Sequence, residues 1–229
     1  GDPRREENFR RWFGDSKVVD ADGKPLVVYH GTGDSFTEFD LDHPRRHDTG
    51  WLGTGVYVSD SPRTASSYSV FKRGLGGSRV MPLFIRLENP YYATKEQKDR
   101  FARLSEDQGK DVARRAADDW TAELIADGHD GVILEFPSTR FNPAEKEYVV
   151  FDPAGVKSAT GNRGTFDPDN PDIRFSRKPS APIRPIPDKK PKLKQKDRNT
   201  DRLYRRMMNA RGIEIGQNET MAQHIQRKG

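Results

Sequence analysis

The chain reads as an α+β fold followed by a basic segment, and three observations point there. Short β-branched or aromatic runs bunch early and late, at Val27-Val28-Tyr29, Val56-Tyr57-Val58, Met81–Leu87 and Tyr148–Phe151. Helix signals fill the stretch between, notably Thr94…Gln97 and Ser105…Gln108, each with the spacing of a capping box. Beyond Asn162 the apolar runs stop, and Pro and Lys dominate over Lys178–Lys196.

In order along the chain, Phe9, Trp12 and Phe13 share one side of a helix over residues 4–13, with Gly14 as its stop. Lys17–Val19 and Leu26–Tyr29 flank Asp20-Ala21-Asp22-Gly23 in the manner of a hairpin. Residues 33–52 are polar, anchored by Phe36, Phe39 and Trp51, and connections that long are usually functional or disordered. Gly55–Ser59 reads as a strand, and Pro62, a favoured first helical residue, opens a helix to about Tyr68. After the flexible Gly74–Gly77 come a strand at Met81–Leu87, helices at about 94–103 and 106–126, and a turn over Gly128–Gly131 into strand Val132–Glu135. Tyr148–Phe151 is apolar on both faces beyond Glu147, which marks a central strand, and Val156–Ser158 is a short last one. These elements set a domain over residues 4–162. Residues 163–229 read as a Pro/Lys-rich linker or disordered basic tail, with one short helix at 199–211 that has too few apolar residues to fold alone.

Charge divides the chain the same way. Of the 40 Lys/Arg and 35 Asp/Glu, 15 and 5 lie from Arg177 onward, so the tail carries +10 and the remainder −5. The absence of cysteine excludes disulfides and thiolate catalysis and leaves the redox compartment open. No apolar run reaches the roughly 18–20 residues of a membrane span, and no signal-peptide pattern opens the chain. Gly1-Asp2-Pro3 lacks a Met, as expected of a cloning scar on a piece of a larger protein. The expected compartment is cytoplasmic, the chain's own or that of a host cell into which it is delivered.

Three segments hold residues that could carry chemistry. Val27-Val28-Tyr29-His30-Gly31-Thr32 is a buried strand that presents a histidine and breaks at a glycine, where a ligand can approach the backbone. Tyr57 shares a strand face with Gly55 and Ser59, which leaves room beside its ring, and Tyr68 lies near the end of the next helix. Two such rings could sandwich a flat heterocycle, each stack worth roughly 0.5–1.5 kcal/mol beyond burial. Glu147 stands at the mouth of a central strand, where a carboxylate is partly desolvated. Each residue also has a plainer reading: a strand-capping histidine, two core aromatics, and a solvated glutamate helped by Lys146. His43 and His47 have no third ligand at a recognisable spacing, so no metal site is expected. Gly53-Thr54-Gly55 opens no helix and is not a phosphate-binding fingerprint.

Order and spacing carry more than the single residues. His30-Gly31-Thr32, Gly55-Val56-Tyr57-Val58-Ser59 and Lys146-Glu147-Tyr148-Val149-Val150-Phe151-Asp152 resemble the His-Gly-Ser/Thr, Gly-Ile-Tyr-Phe-Ala and Asn-Glu-Tyr-Ile-Val-Tyr-Asp segments of ADP-ribosyltransferases. The class is the His-Tyr-Glu one, that of diphtheria toxin and the poly(ADP-ribose) polymerases. Tyr68 falls where the polymerases place a second stacking tyrosine. Phe9–Thr32, Gly128–Leu134 and Glu147–Phe175 extend the likeness to ADP-ribosyltransferase domains of large polyvalent proteins, which belong to phages and conjugative elements. Two departures stand out: the serine that holds the nicotinamide carboxamide in the polymerases is Ala65 here, with Thr64 and Ser66 beside it as substitutes. Glu145 and Glu147 form the Glu-x-Glu of arginine-modifying transferases, but their Arg and Ser-Thr-Ser motifs are missing, so Glu145 is at most accessory.

The resemblance implies the ADP-ribosyltransferase fold, two packed and mainly antiparallel sheets with flanking helices. It implies a mono-ADP-ribosyltransferase with NAD as substrate, no metal, and a macromolecular acceptor, protein or nucleic acid. Glu147, His30 and Tyr57 would form the catalytic set, and His30, Gly31, Thr32, Tyr57, Tyr68 and Ser66 would bind the dinucleotide. The competing reading is an inactive nucleotide-binding module whose basic tail binds nucleic acid through phosphates.

Overall fold

Aromatic residues three and four apart decide the first element. The computed structural model describes residues 3–33, 36–41, 50–71 and 79–174, and over 68–71 the backbone alone. In helix α1 (Pro3–Phe13), Phe9 meets Phe84 at 4.8 Å and Phe166 at 5.0 Å between ring centroids. Trp12 is buried and donates its indole N–H to the Ala154 carbonyl oxygen. The outer side pairs Glu6 with Arg10 and Glu7 with Arg11, each worth about 0.2–0.5 kcal/mol. Gly14 ends the helix at φ +54°, a conformation open to glycine.

The strands are β1 (Val28–Thr32), β2 (Val56–Ser59), β3 (Arg79–Ile85), β4 (Tyr91–Ala93), β5 (Gly131–Phe136), β6 (Glu145–Val150) and β7 (Val156–Ser158). Helix α2 (Pro62–Phe71) follows β2, while α3 (Lys95–Gln108) and α4 (Lys110–Ala126) lie between β4 and β5. Among the described residues the strands form one sheet in the order β4-β5-β6-β2-β1-β3-β7, antiparallel throughout except for the β4–β5 pair. The fold is thus mixed α and β with flanking helices, as expected. The two packed sheets, however, are hydrogen-bonded into one. Its halves meet at a single pair, Tyr29 with Ser59, whereas β1 runs in register with β3 from Val28 to Thr32 and β2 with β6 from Val56 to Ser59.

Strand alternation gives the sheet two apolar faces. One carries Val28, Val56, Val58, Leu83, Ile133, Tyr148 and Val150. The other carries Val132, Leu134, Val149 and Phe151 and packs against Leu124 and Ile125 of α4. Central β6 is therefore buried on both faces beyond Glu147, which is what its sequence requires.

Several elements depart from the sequence reading. The hairpin around Asp20 shrinks to one bridge, Val19 with Pro25, flanked by bonds from the Asp20 amide to the Lys24 carbonyl oxygen and from the Leu26 amide to the Val18 carbonyl oxygen. The turn itself is real: Asp20 Oδ1 accepts from the amides of Asp22 and Lys24. Helix α3 starts at the expected capping box, with Thr94 and Gln97 exchanging both bonds, but runs through Ser105 to end at Gly109, whose φ of +90° suits glycine alone. Strand β4 was not expected; three residues show no alternation, and only pairing with β5 makes them a strand. The packed chain also continues past Asn162. Phe166 joins Trp12 and Phe13 in a buried cluster, Ile173 enters the main core, and the Ile173 amide donates to the Thr37 carbonyl oxygen. Gly74–Gly77 and the helix at 199–211 lie outside the described residues.

Candidate active site

β1, β2 and β6 are neighbours in the sheet, so His30, Tyr57 and Glu147 stand on adjacent strands at the junction of its two halves. The pairs Tyr29–Ser59 and Ser59–Glu147 put the side chains of Tyr29, Ser59 and Glu147 in one row on one face. Alternation sends Gly31, which is buried, to that same face, and sends His30 with Val28 to the other. The His30 ring occupies the gap where β1 and β2 part. Its Nδ1 lies 2.7 Å from the Tyr57 carbonyl oxygen. A carbonyl can only accept, so Nδ1 carries a hydrogen. Phe39 and Phe36 meet the imidazole edge-on at 4.9 and 6.1 Å. Thr32, at the end of β1, is buried.

Tyr57 is held more tightly than its sequence context suggests. Its hydroxyl donates to the Gly53 carbonyl oxygen at 2.6 Å and accepts from the Leu52 amide at 3.0 Å, which locks the half-buried ring against α4's side of the sheet. Gly55 does not leave room beside the ring. A Cβ there would come 2.5 Å from the Val150 carbonyl oxygen and 2.6 Å from Val149 Cγ1, so the glycine is needed for the close approach of β6.

Helix α2 supplies the next wall. Ala65 is buried, Ser66 half-buried, and Thr64 donates its hydroxyl to Glu145 Oε2 at 2.8 Å. The hydroxyl flanking Ala65 on its N-terminal side is thus engaged with a carboxylate. Tyr68 belongs to the same helix, and its side chain lies outside the described residues.

Glu147 is 7 % exposed. Its cation is not Lys146, which projects to the opposite face and pairs with Glu135 at 2.6 Å. The partner is Lys98 of α3, with Nζ 2.5 Å from Glu147 Oε2 and 4.9 Å from the centre of the Phe136 ring. Burying both members compensates each charge with the other, at a desolvation cost comparable to the attraction. Asp60, just past β2, completes a cluster of carboxylates at the mouth of β6. Burial pushes its carboxyl group up, the Lys146 amide pulls it partly back, and the charge of Glu145 adds to the rise. Sequence reasoning missed Lys98 and Asp60, which reach the site only through the fold.

A buried carboxylate held by a lysine, on the same sheet face as an aromatic ring, can stabilise positive charge developing on a bound ligand. Among the described residues no group of three or more His, Cys, Asp or Glu could hold a metal ion, and His43 and His47 fall outside them. Among those residues, too, no helix is long and apolar enough to cross a membrane. A family model described as ADP-ribosyltransferase in polyvalent proteins matches residues 20–166, a stretch that includes His30, Tyr57, Tyr68, Lys98 and Glu147. No curated protein matches the chain.

Proposed function

The chain belongs to the family of ADP-ribosyltransferases in polyvalent proteins, and from that premise we propose that it is a mono-ADP-ribosyltransferase using NAD. NAD is the substrate: the bond between nicotinamide and ribose breaks, nicotinamide leaves with the electron pair, and an acceptor nucleophile attacks the anomeric carbon and loses its proton. Gly31, through its backbone, holds the nicotinamide amide, and the rings of Tyr57 and Tyr68 pack the heterocycle. His30 contacts the adenine ribose hydroxyl, with Thr32 and Ser66 completing the dinucleotide contacts. Glu147 hydrogen-bonds the 2′-hydroxyl of the nicotinamide ribose. As the glycosidic bond lengthens, charge grows on that sugar, and a fixed carboxylate favours the transition state over the ground state.

The observation that carries this reading is the buried Glu147 on the central strand beside β2, in the segment that resembles the Asn-Glu-Tyr stretch of the His-Tyr-Glu class. The acceptor is a macromolecule, protein or nucleic acid, and a domain this small, with no evident element for elongation among the described residues, transfers one ADP-ribose rather than a chain. A cytoplasm, the chain's own or that of a host cell, would supply the NAD. Incubation with adenylate-labelled NAD and a bacterial lysate tests the proposal. Label should enter one macromolecular class, and mass spectrometry should find single ADP-ribose units on the acceptor. Absence of incorporation under conditions where the protein consumes NAD would overturn transfer, and chains of units would overturn the mono assignment.

A further inference from the structure

We propose that Lys98 is a positioning residue for Glu147: its ammonium fixes the charge and orientation of the carboxylate that acts on NAD. The inference rests on the assignment of Glu147 made above. Two lysines one turn apart on α3 make the contrast. Lys95 pairs with Asp99 in the open, with side chains 68 % and 40 % exposed, an arrangement worth little. Lys98 pairs with Glu147 with side chains 16 % and 9 % exposed, and the Phe136 ring lies on its ammonium. Removing either partner leaves a charge in a buried setting with less compensation, which is costly.

The stem of Lys98 is fixed from both sides. The capping box sets the first turn of α3, and Gln97 ties it to β4 by donating Nε2–H to the Tyr91 hydroxyl at 2.8 Å. Three residues after Lys98, Phe101 is buried against Trp120 of α4, with centroids 5.3 Å apart. A lysine held in this way delivers its ammonium to one place, and Glu147 Oε2 is there. A carboxylate that must stabilise charge at one sugar carbon works only when it is held in one orientation, and displacement by about 1 Å can cost roughly 100-fold in rate.

The test measures nicotinamide release from NAD by the full chain across NAD concentrations, for the parent, Lys98→Met, Glu147→Gln and the double variant. Lys98→Met should lower kcat roughly 10- to 100-fold with KM for NAD little changed, which is the pattern of an interaction felt in the transition state. In the Glu147→Gln background the same substitution should cost nothing more, because Lys98 acts through the carboxylate. A merely structural lysine would instead cost the same in both backgrounds. The proposal is overturned if Lys98→Met keeps or exceeds the parent kcat, or if its loss recurs in full beside Glu147→Gln. Lys98→Gln, which keeps a hydrogen-bond donor, replaces Lys98→Met in the same cycle where the latter does not fold. If Glu147→Gln alone keeps the parent rate, the assignment of Glu147 fails and this proposal with it; if only the Lys98 arms deviate, Glu147 stands and Lys98 falls.

Discussion

Lys157→Met should make the protein more stable at neutral pH. Lys157 sits in β7 with no exposed surface, and its ammonium donates to the Asn170 carbonyl oxygen. Burial pulls its pKa from the ordinary 10.5 down to about 8, against the opposing charges of Asp167, Asp152 and Asp172 and with some help from Arg86. At pH 7 the lysine is protonated in both folded and unfolded chains, and the gap between the two values corresponds to a penalty of about 3 kcal/mol. Methionine fills much of the same volume without the charge but leaves the Asn170 carbonyl without its donor, a loss of about 1 kcal/mol. The net gain at pH 7 is therefore about 2 kcal/mol. Between pH 8 and 10.5 the unfolded chain binds the proton and the folded one does not, so the parent gains stability as pH rises and the penalty fades. Urea denaturation of parent and variant at pH 7 and near pH 10.5 reads this directly. The variant should lead at pH 7 and lose its lead at the higher pH. A variant less stable than the parent at pH 7, or a difference that ignores pH, would refute the reasoning.

Three further outcomes follow from the geometry. Gly55→Ala should lower the urea midpoint by an amount equivalent to about 1–3 kcal/mol, because the new methyl would meet the Val150 carbonyl oxygen at 2.5 Å; an unchanged midpoint would contradict the close strand approach. Tyr57→Phe removes the acceptor of the Leu52 amide and the donor to the Gly53 carbonyl. It should cost about 1–3 kcal/mol by thermal unfolding, and a stability equal to the parent's would show that the hydroxyl does not hold this turn. His30→Ala should raise KM for NAD roughly tenfold, about 1.4 kcal/mol, with the circular dichroism of the parent. A KM equal to the parent's would remove His30 from the dinucleotide contacts.

Much of the architecture was legible because its signals are local. The capping box at Thr94, the stop at Gly14, and the doubly apolar strand around Tyr148 each follow from a few neighbouring residues. Where a partner far along the chain decides, the sequence misleads. Gly55 reads as open space beside a tyrosine until β6 fills it. Lys146, next to Glu147, looks like its counter-ion, but strand alternation sends it to the other face, and the cation comes from a helix 49 residues away. Nothing around Lys98 sets it apart from Lys95; only the fold buries one and leaves the other in water. Residues 163–174 have the composition of a linker, yet Phe166 and Ile173 anchor them in two cores.

Glu147 bears the weight of the account, and its most direct test is nicotinamide release from NAD by the purified protein and by Glu147→Gln. The account predicts a variant that keeps its NAD affinity within a few-fold and releases nicotinamide roughly 100-fold more slowly or less. Release at the parent's rate would contradict it.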